Sequence, residues 1–328
     1  MGDVYMCTAV SYRANDHYFG RNLDLEYTYR EEITVTPRNF PFPFRHTGRC
    51  DRHLAMIGMA TVIDTYPLYY EATNEKGLSI AGLNFPGNAV YLPPQDGVIN
   101  IAPFELIPYL LGRCEDTIQA ESLLRKINLT DTPFSPQLPL TPLHWLISDT
   151  DRSIVVEPMD DGIHVYENPV GVLTNNPPFE FHLYNLRNHL NVSAQPAVNR
   201  FSQQEIKPFS NGMGGIGLPG DYSSASRFVK AAFVKLNSLL SDSETEDVQQ
   251  FFHILSAVEM PTGSVMIRPG EYEITQYSCC CNTDKGIYYY RTYNNSSITG
   301  IDMYREDLES SQPIRYPLKK TASIDIIN

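Results

Sequence analysis

The chain has 328 residues with 42% hydrophobic and 11% aromatic side chains, enough to bury a large core and too apolar for a disordered segment. Its 25 Lys and Arg against 38 Asp and Glu leave a formal charge of −13, which excludes an electrostatic grip on nucleic acid and disfavours an anionic membrane surface. No apolar run approaches the roughly 18 residues of a membrane-spanning helix, and the opening "MGDVYMCTAV" has neither a basic nor an apolar signal region, which predicts a cytoplasmic chain.

In chain order, "CTAVSYR" alternates, "ANDH" turns and "YFGRN" returns, so the N-terminus reads as a hairpin. "EITVTP" and "HLAMIGMA" are strands, and "LYYEATNEKGLSIAGLNF" is a second hairpin turning at Asn74 to Gly77. "PFELIPYLLGRC" and "DTIQAESLLRKI" have helical spacing, with Asp116 placed to cap the second. "HWLISD", "SIVVEP" and "GIHVYE" form a meander; helices follow at "FEFHLYNLRNHL", "SSASRFVKAAFVKLNSLL" and "EDVQQFFHILSAV"; "EYEITQYSCCC", "GIYYYRTY" and "SITGIDMY" are closing strands. Runs of antiparallel strands separated by blocks of helix predict an α+β fold rather than an alternating βαβ one. No linker, repeat or low-complexity segment divides the chain, which predicts one domain.

Several stretches imitate sites without their chemistry. Six cysteines (Cys7, Cys50, Cys114 and the run Cys279, Cys280, Cys281) are too sparse for a disulfide framework, and the triple run lacks the CxxC spacing of a metal site. In a strand its three side chains alternate between faces, so packing accounts for it. "GMGGIGLPG", Gly212 to Gly220, lacks the GK[ST] ending of a phosphate loop and reads as a plain loop. No GxSxG accompanies the eight histidines, and His17 on the first hairpin reads as a packed or exposed strand residue.

Cys7 poses a sharper question, because no histidine stands as its obvious partner. A thiol with a pKa of about 8.5 needs a base or a neighbouring cation to attack at neutral pH. If Met6 and everything before it were removed, Cys7 would carry an α-amine of pKa about 7.7–8.0, close enough to exchange a proton with the thiol. Arg21 would stabilise the thiolate and Asp24 would orient the ammonium, since the hairpin folds both back beside Cys7. A structural cysteine beside a surface ion pair is the alternative.

"MCTAV", "HYFGRNLD", "YPLYYEATNEKGLSIAGLNFPG", "PLHWLISD", "GVLTNNP", "GMGGIGLPGD", "SSASRFVKAAF" and "KGIYYYRTY" together resemble the choloylglycine hydrolases. That family of bile salt hydrolases and penicillin V acylases belongs to the N-terminal nucleophile hydrolases. The resemblance runs from Cys7 to the C-terminus. It implies a four-layer αββα sandwich, two antiparallel sheets between helix layers, as one catalytic domain over residues 7–328. Residues 1–6 become an extension to be removed, a departure from relatives that begin at Met-Cys. It also implies a homotetramer that needs no cofactor and no metal.

Roles carry over by position. Cys7 matches the N-terminal nucleophile, and Arg21 and Asp24 in "GRNLD" match the pair contacting the thiol and the α-amine. Asn84 in "AGLNFPG" matches the residue whose backbone N–H lines the oxyanion hole. Asn175, the first Asn of "LTNNP", matches the side-chain donor there, and Arg227 in "SASRF" completes the polar network. An ordinary turn at Asn175 and a solvated Arg227 are the bland alternatives. Asn84 with "TNNP" points to conjugated bile salts as substrate rather than penicillin V, with Leu23, Leu25, Phe134 and Leu138 as candidate steroid contacts. A penicillin V acylase and a non-catalytic binding protein of the same fold are the rival readings.

Overall fold

Alternation decides the architecture. In the computed structural model, which describes residues 6–328, neighbouring residues of one strand belong to different apolar clusters. Met56, Ile80, Trp145 and Ile154 pack in one cluster, while Ile57, Ala81, Leu146 and Val155 pack in another. A strand can divide its side chains this way only if both of its faces are covered.

Two antiparallel sheets supply those faces. The six-stranded sheet runs in the order Val172–Leu173, β1 (Met6–Arg13), β2 (His17–Leu25), Ile274–Asn282, Ile287–Thr292 and Asn295–Asp302. The eight-stranded sheet runs Gly162–Glu167, Ser153–Met159, Leu143–Ser148, Ser79–Asn84, Tyr66–Asn74, Met56–Ile63, Glu32–Thr36 and Ile314–Pro317. Helices α1 (Leu106–Leu111) and α2 (Thr117–Leu124) cover the outer face of the larger sheet through Leu110, Leu111, Ala120 and Leu124. After α3 (Phe179–Asn185), helices α4 (Ser224–Leu236) and α5 (Glu244–Ser256) cover the smaller sheet with Phe228, Phe251 and Leu255. The layers are therefore helix, sheet, sheet, helix, the αββα sandwich that the resemblance implies.

Local signals hold where they were read. Asp116 caps α2 by accepting the Gln119 amide at 2.8 Å. The second hairpin turns through Gly77, whose φ of +89° is the left-handed region that favours glycine. The Gly212–Gly220 stretch is loop with one short 3₁₀ turn at Met213–Gly215. Gly20 in "HYFGRN" is required by proximity, because a Cβ there would lie 1.9 Å from the Cys279 carbonyl oxygen and force β2 off its neighbour.

Pairing across distance was not legible. The short parallel pair Ile99–Ile101 with Ile127–Leu129, and Ile314–Pro317 closing the large sheet beside Glu32–Thr36, join segments that carry no mutual signal. Among the described residues no helix is long and apolar enough to cross a membrane. Residues 1–5 of the expected extension lie outside the described residues; Met6 begins β1.

Candidate active site

The first hairpin builds the site. Its register sets Cys7 opposite Leu23 and Ala9 opposite Arg21, so the Cys7 thiol and the Arg21 guanidinium share the face turned to the second sheet. Asp24, opposite Met6, is offset onto the face toward the helices. All three are buried, at 3%, 1% and 0% exposure, so these charges act in a low dielectric.

Arg21 is lodged between the sheets. Its Nη1 donates to the carbonyls of Gly82 and Tyr70, its Nε donates to the Asn22 carbonyl at 3.3 Å, and its Nη2 has no hydrogen-bond partner among the described residues. Asp24 accepts the Thr275 hydroxyl on Oδ1 at 2.6 Å, while its buried Oδ2 has no partner among the described residues. Burial pushes the Asp24 carboxyl up to about 6 against the pull of Arg227, of Thr275 and of Arg21. Burial also raises the Cys7 thiol, and Arg21 is the strongest influence pulling it back down. The Asp24 carboxylate raises it further, while a hydrogen bond from the Asp24 backbone amide lowers it.

Asn175 and Arg227 close the site from the helix side. The Cys7 backbone N–H donates to Asn175 Oδ1 at 2.8 Å, and Arg227 Nη2 donates to the same oxygen at 2.8 Å. Arg227 Nη1 reaches the Cys7 carbonyl at 2.5 Å and the Thr8 hydroxyl at 2.7 Å, and Nε donates to the Tyr222 carbonyl at 2.9 Å. Two donors on Oδ1 settle the amide orientation and turn Nδ2 outward, where it donates to the Asn84 carbonyl at 2.8 Å. Far from being a solvated helix residue, Arg227 is 1% exposed and ties α4 to the first residues of β1.

Cys7, Arg21, Asp24, Asn84, Asn175 and Arg227 are therefore neighbours in one buried cluster. Leu23 and Leu25 lie in the same apolar cluster as Cys7. Phe134 does not; it packs against Tyr66 and Phe104 in the other cluster, with Arg45 over its ring at 5.5 Å. Leu138 sits half-buried in the same loop, bridged to Ser135.

Several supporting residues escaped sequence reading. Ser224 accepts the Asn175 amide on Oγ at 2.8 Å. His182 Nε2 lies 2.9 Å from the Asn175 carbonyl, its ring stacked on Phe228 with centroids 4.8 Å apart. His144 Nε2 holds the Thr174 carbonyl at 2.8 Å while its Nδ1 faces Glu157 at 3.0 Å. Glu273 accepts the Met6 amide, and burial pushes its carboxyl up to about 8. Glu71 pairs with Arg21 at 3.8 Å. Glu71 lies within a strand, where alternation could have flagged it, whereas Glu273 falls between two strands and carries no such signal.

Residues 7–316 match the family model described as "Linear amide C-N hydrolases, choloylglycine hydrolase family". The chain is 49% identical over 324 residues to the bile salt hydrolase/transferase of Lactiplantibacillus plantarum, a match covering 98% of this chain and 100% of the relative. To the bile salt hydrolase/transferase of Clostridium perfringens it is 37% identical over 329 residues, again covering 98% and 100%. A solved variant of conjugated bile acid hydrolase from Clostridium perfringens matches with a TM-score of 0.91 at 36% identity, covering 98% of this chain and 100% of that one. Penicillin V acylase from Agrobacterium tumefaciens shares the fold, with a TM-score of 0.74 at 20% identity over 94% and 90% of the two chains.

Proposed function

This chain belongs to the choloylglycine hydrolase family of linear amide C–N hydrolases, and we propose that it cleaves the amide of glycine- or taurine-conjugated bile acids through a Cys7 thioester once Met1 to Met6 has been removed. The observation that carries this reading is the seat of the Cys7 nitrogen, which donates to Asn175 Oδ1 while Arg227 grips both that oxygen and the Cys7 carbonyl. An amine released at this nitrogen keeps that donor contact and gains a lone pair beside its own thiol. The family match also begins at residue 7.

In this mechanism the α-amine takes the thiol proton, and Arg21 stabilises the thiolate. The thiolate attacks the substrate carbonyl, and the oxyanion takes hydrogen bonds from the Asn84 backbone N–H and the second Nδ2 hydrogen of Asn175. One such donor is typically worth about 3–4 kcal/mol in the transition state. The ammonium then protonates the departing amine of glycine or taurine, and water attacks the thioester with the α-amine again as base. Asp24 faces this ammonium and balances its charge.

The bile-salt assignment is supported by the similarity to two bile salt hydrolase/transferases and by Asn84, whose small side chain leaves space beside the thiol for a steroid acyl group. We also read the protein as a cytoplasmic homotetramer. Apolar side chains left at the surface between α3 and α4, among them Phe201 at 90% and Phe209 at 86% exposure, support assembly; sedimentation velocity tests it.

The reading is tested by intact mass and kinetics on one preparation. Active protein should start at Cys7, and kcat/KM for glycocholate or taurocholate should exceed that for penicillin V by at least about tenfold, or about 1.4 kcal/mol of transition-state preference. Asn84→Tyr should narrow the gap. Full activity from a chain that still carries "MGDVYM" would overturn the α-amine base, and equal or reversed specificity would move the protein to the acylase branch.

A further inference from the structure

Glu71 is a buried carboxylate that the mechanism above does not use. It lies within the Tyr66–Asn74 strand, 1% exposed, opposite Ala81 in the register and on the face turned toward the smaller sheet. Three strands of that sheet converge on it. Arg21 of β2 sets Nε 3.8 Å from Oε2. Tyr277, on the Ile274–Asn282 strand, donates to Oε2 at 2.8 Å, and the Cys279 thiol of the same strand donates to Oε1 at 3.5 Å. Tyr288, on the Ile287–Thr292 strand, donates to Oε1 at 2.6 Å.

An isolated carboxylate in such a place costs several kcal/mol, which a core alanine or leucine would avoid. Its partners indicate what the charge is for. The carbonyls that hold Arg21 (Gly82, Tyr70 and Asn22) are neutral and leave the guanidinium charge uncompensated. Among the described residues Glu71 is the only carboxylate in ion-pair range of Arg21. Burial pushes the phenols of Tyr277 and Tyr288 and the thiol of Cys279 up, so these neighbours stay neutral donors at working pH. Burial raises the Glu71 carboxyl as well, opposed first by Arg21 and then by the two tyrosines and Cys279.

We propose that Glu71 is a positioning residue, the counter-ion that holds Arg21 between the sheets and shares its charge with the Cys7 thiolate. The inference rests on Cys7 as the nucleophile. Without Glu71, Arg21 would answer to the thiolate alone and hold it too tightly. A thiolate stabilised in this way forms at lower pH and attacks more slowly.

The test is the pH dependence of Cys7 alkylation by iodoacetamide, read by mass spectrometry of the Cys7 peptide, beside pH profiles of kcat/KM for glycocholate. It compares wild type, Glu71→Gln and Tyr288→Phe. The Glu71→Gln profile should move down by about one pH unit, with the plateau of turnover lowered about threefold, the consequence of one unit at a Brønsted slope near 0.5. Tyr288→Phe should shift both profiles the same way by less, because a carboxylate missing one donor is more readily protonated. Superimposable profiles, even with a lowered Tm, would show a packing group and overturn the proposal, as would an upward shift. If Glu71→Gln does not fold, Tyr288→Phe decides alone. Cys7→Ser run in parallel separates the two claims: retained turnover there refutes the nucleophile, while the alkylation profile still reports on Glu71.

Discussion

The hairpin of β1 and β2 carries a buried polar cluster at each end, and the two are built on opposite plans. Near the turn, His17 places Nε2 2.9 Å from the Ser11 hydroxyl and Nδ1 2.8 Å from the Thr283 hydroxyl, with Ser148 and Ser153 extending the chain of hydroxyls. Burial depresses the His17 pKa to about 4, so the cluster is neutral, and both ring nitrogens have partners. At the open end, Cys7, Arg21, Asp24 and Arg227 bring charges of both signs together, and Arg21 Nη2 and Asp24 Oδ2 lack hydrogen-bond partners among the described residues. A Ser–His contact looks more like a hydrolase than a cysteine without a histidine does. The difference teaches that the neutral network is complete in itself, whereas the charged one keeps a donor and an acceptor unspent.

Mutation at the two ends sharpens the contrast. Cys7→Ser should lower turnover by at least about a thousandfold, as loss of an activated nucleophile does, while circular dichroism and Tm stay near wild type. Ser148→Ala should do the reverse, costing about 1–3 kcal/mol of stability through the buried partners it strands and leaving turnover within a few-fold. A large activity loss in Ser148→Ala would break the comparison. Next in size, Asn175→Ala should reduce kcat by about a hundredfold to a thousandfold, because it removes both an oxyanion donor and the acceptor that seats the Cys7 nitrogen.

Acid and base should separate the two ends by sign. Asp24 is held up near 6, above the value of about 3.9 for a free side chain, so the folded state binds its proton more tightly. Its contribution is complete below about pH 4 and is lost as pH rises through 6. Asp24→Asn should therefore raise stability at pH 8 by up to about 3 kcal/mol while removing turnover, in a comparison of chemical denaturation at pH 5 and pH 8. His17 runs the other way. Its pKa falls to about 4, so its contribution is present above the unfolded value of about 6.5 and fades as pH drops toward 4. His17→Gln should flatten the acid side of the stability curve by a similar or smaller amount, an effect shared with His182, whose pKa burial also lowers to about 4. A pH-independent difference between His17→Gln and wild type would remove His17 from this account. The smallest effect belongs to Cys50→Ser, a half-buried thiol remote from the site, which should leave turnover within about threefold.

Sequence by itself determined the elements, and the family resemblance singled out the candidate site residues. Alternation and turn residues located the hairpins and Asp116 marked the start of α2, while "GRNLD", "LTNNP" and "SASRF" matched the family at Arg21, Asp24, Asn175 and Arg227. Such signals are short-range: the period of a strand, the cap of a helix and the spacing within a motif all lie inside a few residues. Only the tertiary structure decided which side chains meet. Arg227 reaches the Cys7 carbonyl across 220 residues and Asn175 across 52, and Glu71 is set against Arg21, Tyr277 and Tyr288 from the facing sheet. Phe134, a candidate steroid contact from its apolar character, joins the aromatic group around Tyr66. The reason is physical. A carboxylate or arginine in an alternating strand looks the same whether its face meets water or another sheet, and the packing of the layers makes that choice.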